Sequence, residues 1–221
     1  MVSSLSQPLS IVAFFVELTH SLWAPPLRIG RPSADTIESD LLRAAGSPST
    51  VYNGCTFGEQ VRLPHGWYVG RSDSVIGRGD ATYARAAKAL QHLHFFEHSW
   101  LTVRCSKAKA GDAELMAVCS RQLGCLWLTN VNRMLNRVEG ERSSSVSWAT
   151  TQRHVLAGEE TIRVTHDTST DLVHFSILSF SRPRHLFSFA AYPYVVLQQQ
   201  RFARDATAAM QRATQTPEAP L

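Results

Sequence analysis

The chain of 221 residues has little of what a zinc protein, a secreted protein or a membrane-spanning helix requires. Its four cysteines, Cys55, Cys105, Cys119 and Cys125, form no C-x-x-C pair and no Cys/His spacing suited to zinc, so they read as reduced core thiols. There is no N-x-S/T acceptor, and residues 1–27 contain neither Lys nor Arg, which removes the basic segment of a secretory signal and the basic character of a transit peptide. The longest apolar run, Ile11 to Val16, stops at Glu17, far short of the roughly 20 residues of a spanning helix. From these absences we expect an intracellular, cytoplasmic protein. Residues 1–27 form an apolar extension expected to be poorly ordered, 28–214 one domain, and 215–221 a disordered tail. Peripheral membrane contact through Ile11 to Val16 stays open.

Charge of one sign is also scarce. Twenty-two Lys plus Arg against eighteen Asp plus Glu leave +4, and the basic residues, nearly all Arg, are dispersed. No basic stripe interleaved with aromatics exists. Arg201, Arg204 and Arg212 suit the end of a helix, so no nucleic-acid partner is expected. With 44% hydrophobic and 18% charged residues, the chain has material for one full core.

Glycine and proline interrupt residues 30–70 so often that only Asp35 to Ala45 has room for a helix, capped by Ser33 or Asp35. Ala81 to Leu93 carries Tyr83, Ala87 and Leu90 at helical spacing behind Gly77-Arg78-Gly79-Asp80, where the glycines form a turn and Asp80 caps. Short β-prone runs follow: 100–105, 115–119, 125–131, 133–139, 146–150, 160–165 and 172–180. Ile162 and Val164 alternate with Arg163 and Thr165 before the polar turn His166 to Asp171, which marks an antiparallel hairpin. Pro193 suits the first turn of a long helix over Tyr194 to Ala213, with Val195, Phe202, Ala206, Ala209 and Ala213 near one face. Strands followed by one long helix predict an α+β fold, an antiparallel sheet packed on that helix.

Several motifs carry no chemistry. Gly77-x-Gly79 lacks the third glycine and the parallel unit of a dinucleotide loop. Arg78-Gly79-Asp80 spells an adhesion tripeptide without an extracellular context. His92, His94 and His98 fall on different sides of a helix end, so no metal is expected, and no other cofactor either. Ser144, Ser145 and Ser147 lack the G-x-S-x-G elbow of a serine hydrolase.

One constellation differs. His154-Val155-Leu156-Ala157-Gly158-Glu159-Glu160 brings an imidazole and two adjacent carboxylates into a strand, and alternation sends Glu159 and Glu160 to opposite faces. The inward carboxylate must find a partner or take up a proton, and Arg182, at the end of the next strand, is the expected partner. Such a pair is either a bridge that fixes strand register or a polar handle in a ligand pocket.

At these residues the chain resembles the domain-of-unknown-function 1990 family (DUF1990, UPF0548), and especially its plant-like eukaryotic members. The matching text is His154, Ala157-Gly158-Glu159-Glu160, Ser179-Phe180-Ser181-Arg182-Pro183, His185-Leu186-Phe187-Ser188-Phe189, Tyr192-Pro193-Tyr194-Val195, Leu197 and Phe202-Ala203-Arg204. Upstream, Gly30-Arg31-Pro32-Ser33, Gly77-x-Gly79, Tyr83, Ala89, Leu90 and Trp100 also fit. Relatives usually carry glycine-threonine-leucine and glycine-histidine where this chain has Ala149-Thr150-Thr151 and Arg153-His154, and an aromatic where it has His174. The resemblance implies a START-like (SRPBCC-like) helix-grip fold, a curved antiparallel sheet gripping a long C-terminal helix.

That arrangement leads to three expected functions. The first is a module that binds a hydrophobic or lipid-like small molecule between sheet and helix, lined by Trp148, Phe175, Phe180, Tyr194 and Phe202, with His154, Glu159 or Glu160, Ser181 and Arg182 as polar contacts. The second is a cyclase, hydratase or hydrolase using His154 as general acid/base and Glu160 as its partner. The third, implied by some plant relatives, is a plastid outer-envelope protein linked to ion conduction. Strands of 5 to 7 residues are too short for a barrel that requires roughly 9 to 11.

Overall fold

The computed structural model describes residues 27–46, 67–107, 114–184 and 186–215. The elements are β1 (Leu27–Ile29), α1 (Ala34–Ala45), β2 (Tyr68–Arg78), α2 (Asp80–Gln91), a 3-10 turn (His94–Phe96), β3 (Leu101–Lys107), β4 (Glu114–Arg121), β5 (Leu126–Val138), β6 (Ser143–Thr150), β7 (Leu156–Asp167), β8 (Leu172–Pro183), α3 (Leu186–Ala190) and α4 (Tyr192–Gln215). Eight strands form one curved antiparallel sheet in the order β2-β8-β7-β6-β5-β4-β3, with β1 added beside β5. The chain is thus α+β, a sheet packed on a long C-terminal helix. The expected extension, apart from Leu27, its Ile11 to Val16 run, Cys55 and most of the tail lie outside the described residues.

The sheet has two differently covered faces. On the inner face, α2, the 3-10 turn and the second half of α4 bury Tyr83, Ala86, Leu90, Phe95, Ala206 and Met210 against Val146, Ile162, Val164, Phe175 and Ile177. On the outer face, α1 lays Ile37, Leu41 and Ala44 on Leu115, Ala117, Trp127 and Val131. Those three helix positions recur at intervals of four and three residues, one stripe of an α-helix. Ser33 is the cap of α1: its Oγ accepts from Thr36 N–H at 3.2 Å. Inside this outer layer Arg28 reaches both carboxylate oxygens of the fully buried Asp40, at 3.0 and 2.9 Å, and so ties β1 to α1.

Four sequence expectations need correction. First, β2 was not expected, because Gly70-Arg71-Ser72-Asp73-Ser74 lacks an apolar alternation. It is an edge strand paired only with β8, and its polar residues are used across that pairing, Asp73 accepting from Ser176 and contacting His174 at 3.1 Å. Second, runs 125–131 and 133–139 form one strand, β5, which absorbs an irregularity between Met134 and Asn136 as a bulge. Third, Asp80 does not cap α2. The N-cap is Gly79, whose φ of 81° only glycine adopts readily, while Asp80 pairs with Arg142 and, at 3.1 Å, with the buried His166. The other nitrogen of His166 lies 3.0 Å from Asp171, so the β7–β8 hairpin is pinned to the start of α2. Fourth, Cys119 is buried, but Cys105 and Cys125 are exposed, so the described thiols are not all core residues.

Strand lengths also exceed the 5 to 7 residues expected: β2 has 11, β5 has 13, and β7 and β8 have 12 each. The length objection to a barrel therefore fails. Among the described residues, the strand order instead runs between two unpaired edges, β2 and β3. No described helix is long and apolar enough to cross a membrane.

Candidate ligand cavity

The inner face changes character along its strands. One row across the sheet, Ser72, Ile177, Ile162 and Val146, closes the packed core. The next row is Gly70, Ser179, Glu160, Trp148 and Met134. Beyond it come Tyr68, Ser181 and Gly158, then Thr150 and Asn132. Small and polar residues replace large apolar ones, and they leave a cavity of about 990 Å³ between the sheet and the first half of α4. Small-molecule sites span about 300–1,000 Å³, so this one is at the large end.

Helix α4 roofs the space mainly with one stripe: Tyr194, Val195, Gln198, Gln199, Phe202 and Ala203 line it, together with Gln200 beside the stripe and Ala191 just before the helix. The same stripe continues as Ala206, Met210 and Thr214 into the packed core. The alternating steps of three and four residues are those of one helical face, so one amphipathic helix serves as core element in its second half and lid in its first. Phe96, Trp100, Leu101, Val118, Leu126, Leu128 and Leu27 complete largely apolar walls.

Glu160 stands at the boundary between core and cavity. Its cross-strand neighbours are Trp148 and Ser179. No described residue donates to its carboxyl or pairs with it, and burial alone pushes its pKa up to about 7. The surface it keeps faces the cavity, which it lines. Asn132 is buried in the next row with no partner for Oδ1, and the carboxamide oxygens of Gln198 and Gln199 are likewise unpartnered in the roof. Gln199 Nε2 donates to Ser181 Oγ at 3.3 Å. Thr150 Oγ1 is occupied by the N–H of Gly158, at 3.0 Å.

His154 lies in the segment joining β6 to β7 and lines the same cavity. Its Nδ1 accepts from Leu156 N–H at 2.9 Å, which leaves the ring proton on Nε2. The segment is stitched to β5, with Val155 N–H donating to Asn130 Oδ1 at 3.1 Å and Thr151 Oγ1 to Val131 O at 2.7 Å.

Of the residues picked from the sequence, Trp148, His154, Glu160, Ser181, Tyr194 and Phe202 line the cavity, and Glu159 and Phe180, which alternation sets on the other face of β7 and β8, also border it. Phe175 does not: it pairs with Val164 and is buried in the packed core two rows before the cavity opens. Arg182 is exposed on the other face, its guanidinium 5.0 Å from the Trp67 ring. The expected Glu–Arg pair is absent for a geometric reason. The register sets Arg182 opposite Ala157 and Ser179 opposite Glu160, so alternation puts Arg182 on the face of Glu159, not of Glu160. Glu159 is buried there beside Ala149 and Phe180, and the Phe180 ring meets Trp67 edge-on at 5.5 Å. Sequence reasoning missed Asn130, Asn132, Gln198 and Gln199. The two glutamines were detectable as polar residues inside the apolar stripe of the long helix. His92, His94 and His98 line no part of the cavity, and no described group of three potential ligands is placed to hold a metal.

A curved antiparallel sheet closed by a long C-terminal helix, with a cavity between them, defines a helix-grip protein. Within that class the family model "Domain of unknown function (DUF1990)" matches residues 52–209, and the chain belongs to this family. A UPF0548 protein of Arabidopsis thaliana is 29% identical over 150 residues, which is 66% of this chain and 72% of the relative. A UPF0548 protein of Dictyostelium discoideum is 24% identical over 149 residues, covering 62% of this chain and 68% of that one. Among solved structures, the di-domain ARO/CYC BexL from the BE-7585A biosynthetic pathway aligns at a TM-score of 0.49 and 11% identity, covering 70% of this chain but only 52% of its own length. The Zhui aromatase/cyclase from Streptomyces sp. R1128 aligns at 0.47 and 12% identity, over 67% of this chain and 93% of that one.

Proposed function

We propose that this protein binds a small molecule with a largely apolar body in the space between the inner sheet face and α4. The observation that carries the reading is the cavity of about 990 Å³, roofed by one stripe of α4 and walled mainly by aromatic and aliphatic side chains. Apolar surface left in contact with water is unfavourable by about 25 cal/mol per Å², so a ligand that displaces water from these walls gains directly from burial. Extraction of the natively purified protein with organic solvent, followed by mass spectrometry, tests this. A single apolar compound near one mole per mole of protein is the expected result; an empty extract from protein purified without detergent counts against it.

A second reading shares the site. A carboxyl whose pKa is about 7 divides its time between acid and base at neutral pH, the property of a general acid/base. Glu160, with His154 in the same cavity, would then move a proton on the bound molecule.

A further inference from the structure

An apolar cavity does not account for the carboxyl inside it. A buried acid that fixes strand register is held by a counter-charge or by amide donors, and among the described residues Glu160 has neither. The residue two positions earlier in the same strand is Gly158, which also lines the cavity. Asn132, Gln198 and Gln199 also line the cavity, with their unpartnered amide oxygens buried. The amide nitrogen of Gln199 is already engaged by Ser181. Neutral donors are present, the hydroxyls of Tyr194, Ser179 and Ser181 and the His154 Nε2–H among them, but positive charge is scarce among the described lining residues. Among the described lining residues Arg71 is the one Arg or Lys, and it is exposed on the edge strand β2, so an anionic head group finds no buried counter-charge among them.

We infer that the ligand carries a protonated amine on its apolar body, seated with its N–H groups toward the Glu160 carboxylate. This rests on the cavity reading above and narrows it to organic cations, setting aside fatty acids and other anionic lipids. An ammonium supplies three donors, and its hydrogen bonds to a carboxylate are charge-assisted and stronger than neutral ones.

Three probes of nearly equal shape separate the possibilities: 2-naphthylmethylamine, 2-naphthylmethanol and 2-naphthoate. Each is titrated as a competitor of the neutral dye N-phenyl-1-naphthylamine, at about pH 8, where the Glu160 carboxyl is mostly ionised. In the native protein the amine is expected to bind at least about tenfold more tightly than the alcohol, with naphthoate weakest. In Glu160→Gln, which has the same shape and loses no partner, the spread is expected to shrink to within about threefold. Uptake of the dye together with equal affinity for amine and alcohol, or an amine preference that survives Glu160→Gln, overturns the inference and leaves the cavity reading standing. Failure of the dye and of all three probes to bind overturns both.

Discussion

Replacing Glu160 by glutamine is expected to stabilise the protein by about 3 kcal/mol at roughly pH 8 and to change it little near pH 4.5. In the unfolded chain this carboxyl titrates near its ordinary value of 4.5, whereas burial without a partner raises it to about 7 in the folded state. Between those values the unfolded state gives up the proton first, so wild-type stability falls as pH rises. Above the folded value the penalty is constant, and below the unfolded value it is absent. Each unit of separation is worth about 1.4 kcal/mol, and for a chain of this size each kcal/mol moves Tm by roughly 2–4 °C. Glutamine keeps the shape and cannot ionise. Asp167, held down to about 2 mainly by the Ser169 hydroxyl and amide and also by Thr170, titrates below this window and is common to both proteins. Urea denaturation of the pair across the range reads the difference directly. A difference independent of pH, or a wild type more stable at the alkaline end, would mean that the carboxylate has a partner.

Gly158→Ala should be among the most damaging single-atom changes available to this chain. A Cβ at position 158 would lie 2.0 Å from the carbonyl oxygen of Phe180 and 2.9 Å from the Cα of Ser181. Both are backbone atoms of β8, so no rotamer change relieves the contact, and the β7–β8 pairing, which extends from Leu156 opposite Pro183 to Asp167 opposite Leu172, must part locally. Loss of about 3 kcal/mol or more, or failure to accumulate as folded protein, is expected. Gly46→Ala is the control: no described atom lies within 4 Å of a Cβ built there, its φ is −85°, and its unfolding free energy in urea should stay within about 0.5 kcal/mol of wild type. Equal behaviour of the two variants would show that β7 and β8 are not this close at Gly158.

How much of this was legible in the sequence depended on whether a residue's surroundings were local. The hairpin at His166 to Asp171 and the long helix after Pro183 were readable because alternation, a polar turn and helical spacing are properties of neighbouring residues. That one of Glu159 and Glu160 points into a covered face was readable for the same reason, since two adjacent acids in a strand cannot both face water when one face is covered; which of the two does so was not. Nor was the partner of Glu160. Whether Arg182 meets Glu160 depends on the β7–β8 register, which sets Ser179 opposite Glu160 and turns Arg182 outward. β2 escaped detection because an edge strand can satisfy polar side chains across a single neighbour, as Asp73 does with Ser176 and His174. Phe175 was misassigned because the same inner face holds both the packed core and the cavity, and only the position of α2 and α4 along it decides where one gives way to the other.

The central claim is that the space beneath the first half of α4 admits an apolar molecule. Titration of N-phenyl-1-naphthylamine into the native protein and into Ala203→Trp, whose indole would project from the roof stripe into the cavity, tests it most directly. The account requires saturable, one-site binding in the native protein, weakened at least about tenfold in a variant with unchanged far-UV circular dichroism. Equal binding by the two proteins, or no binding by the native one, would contradict it.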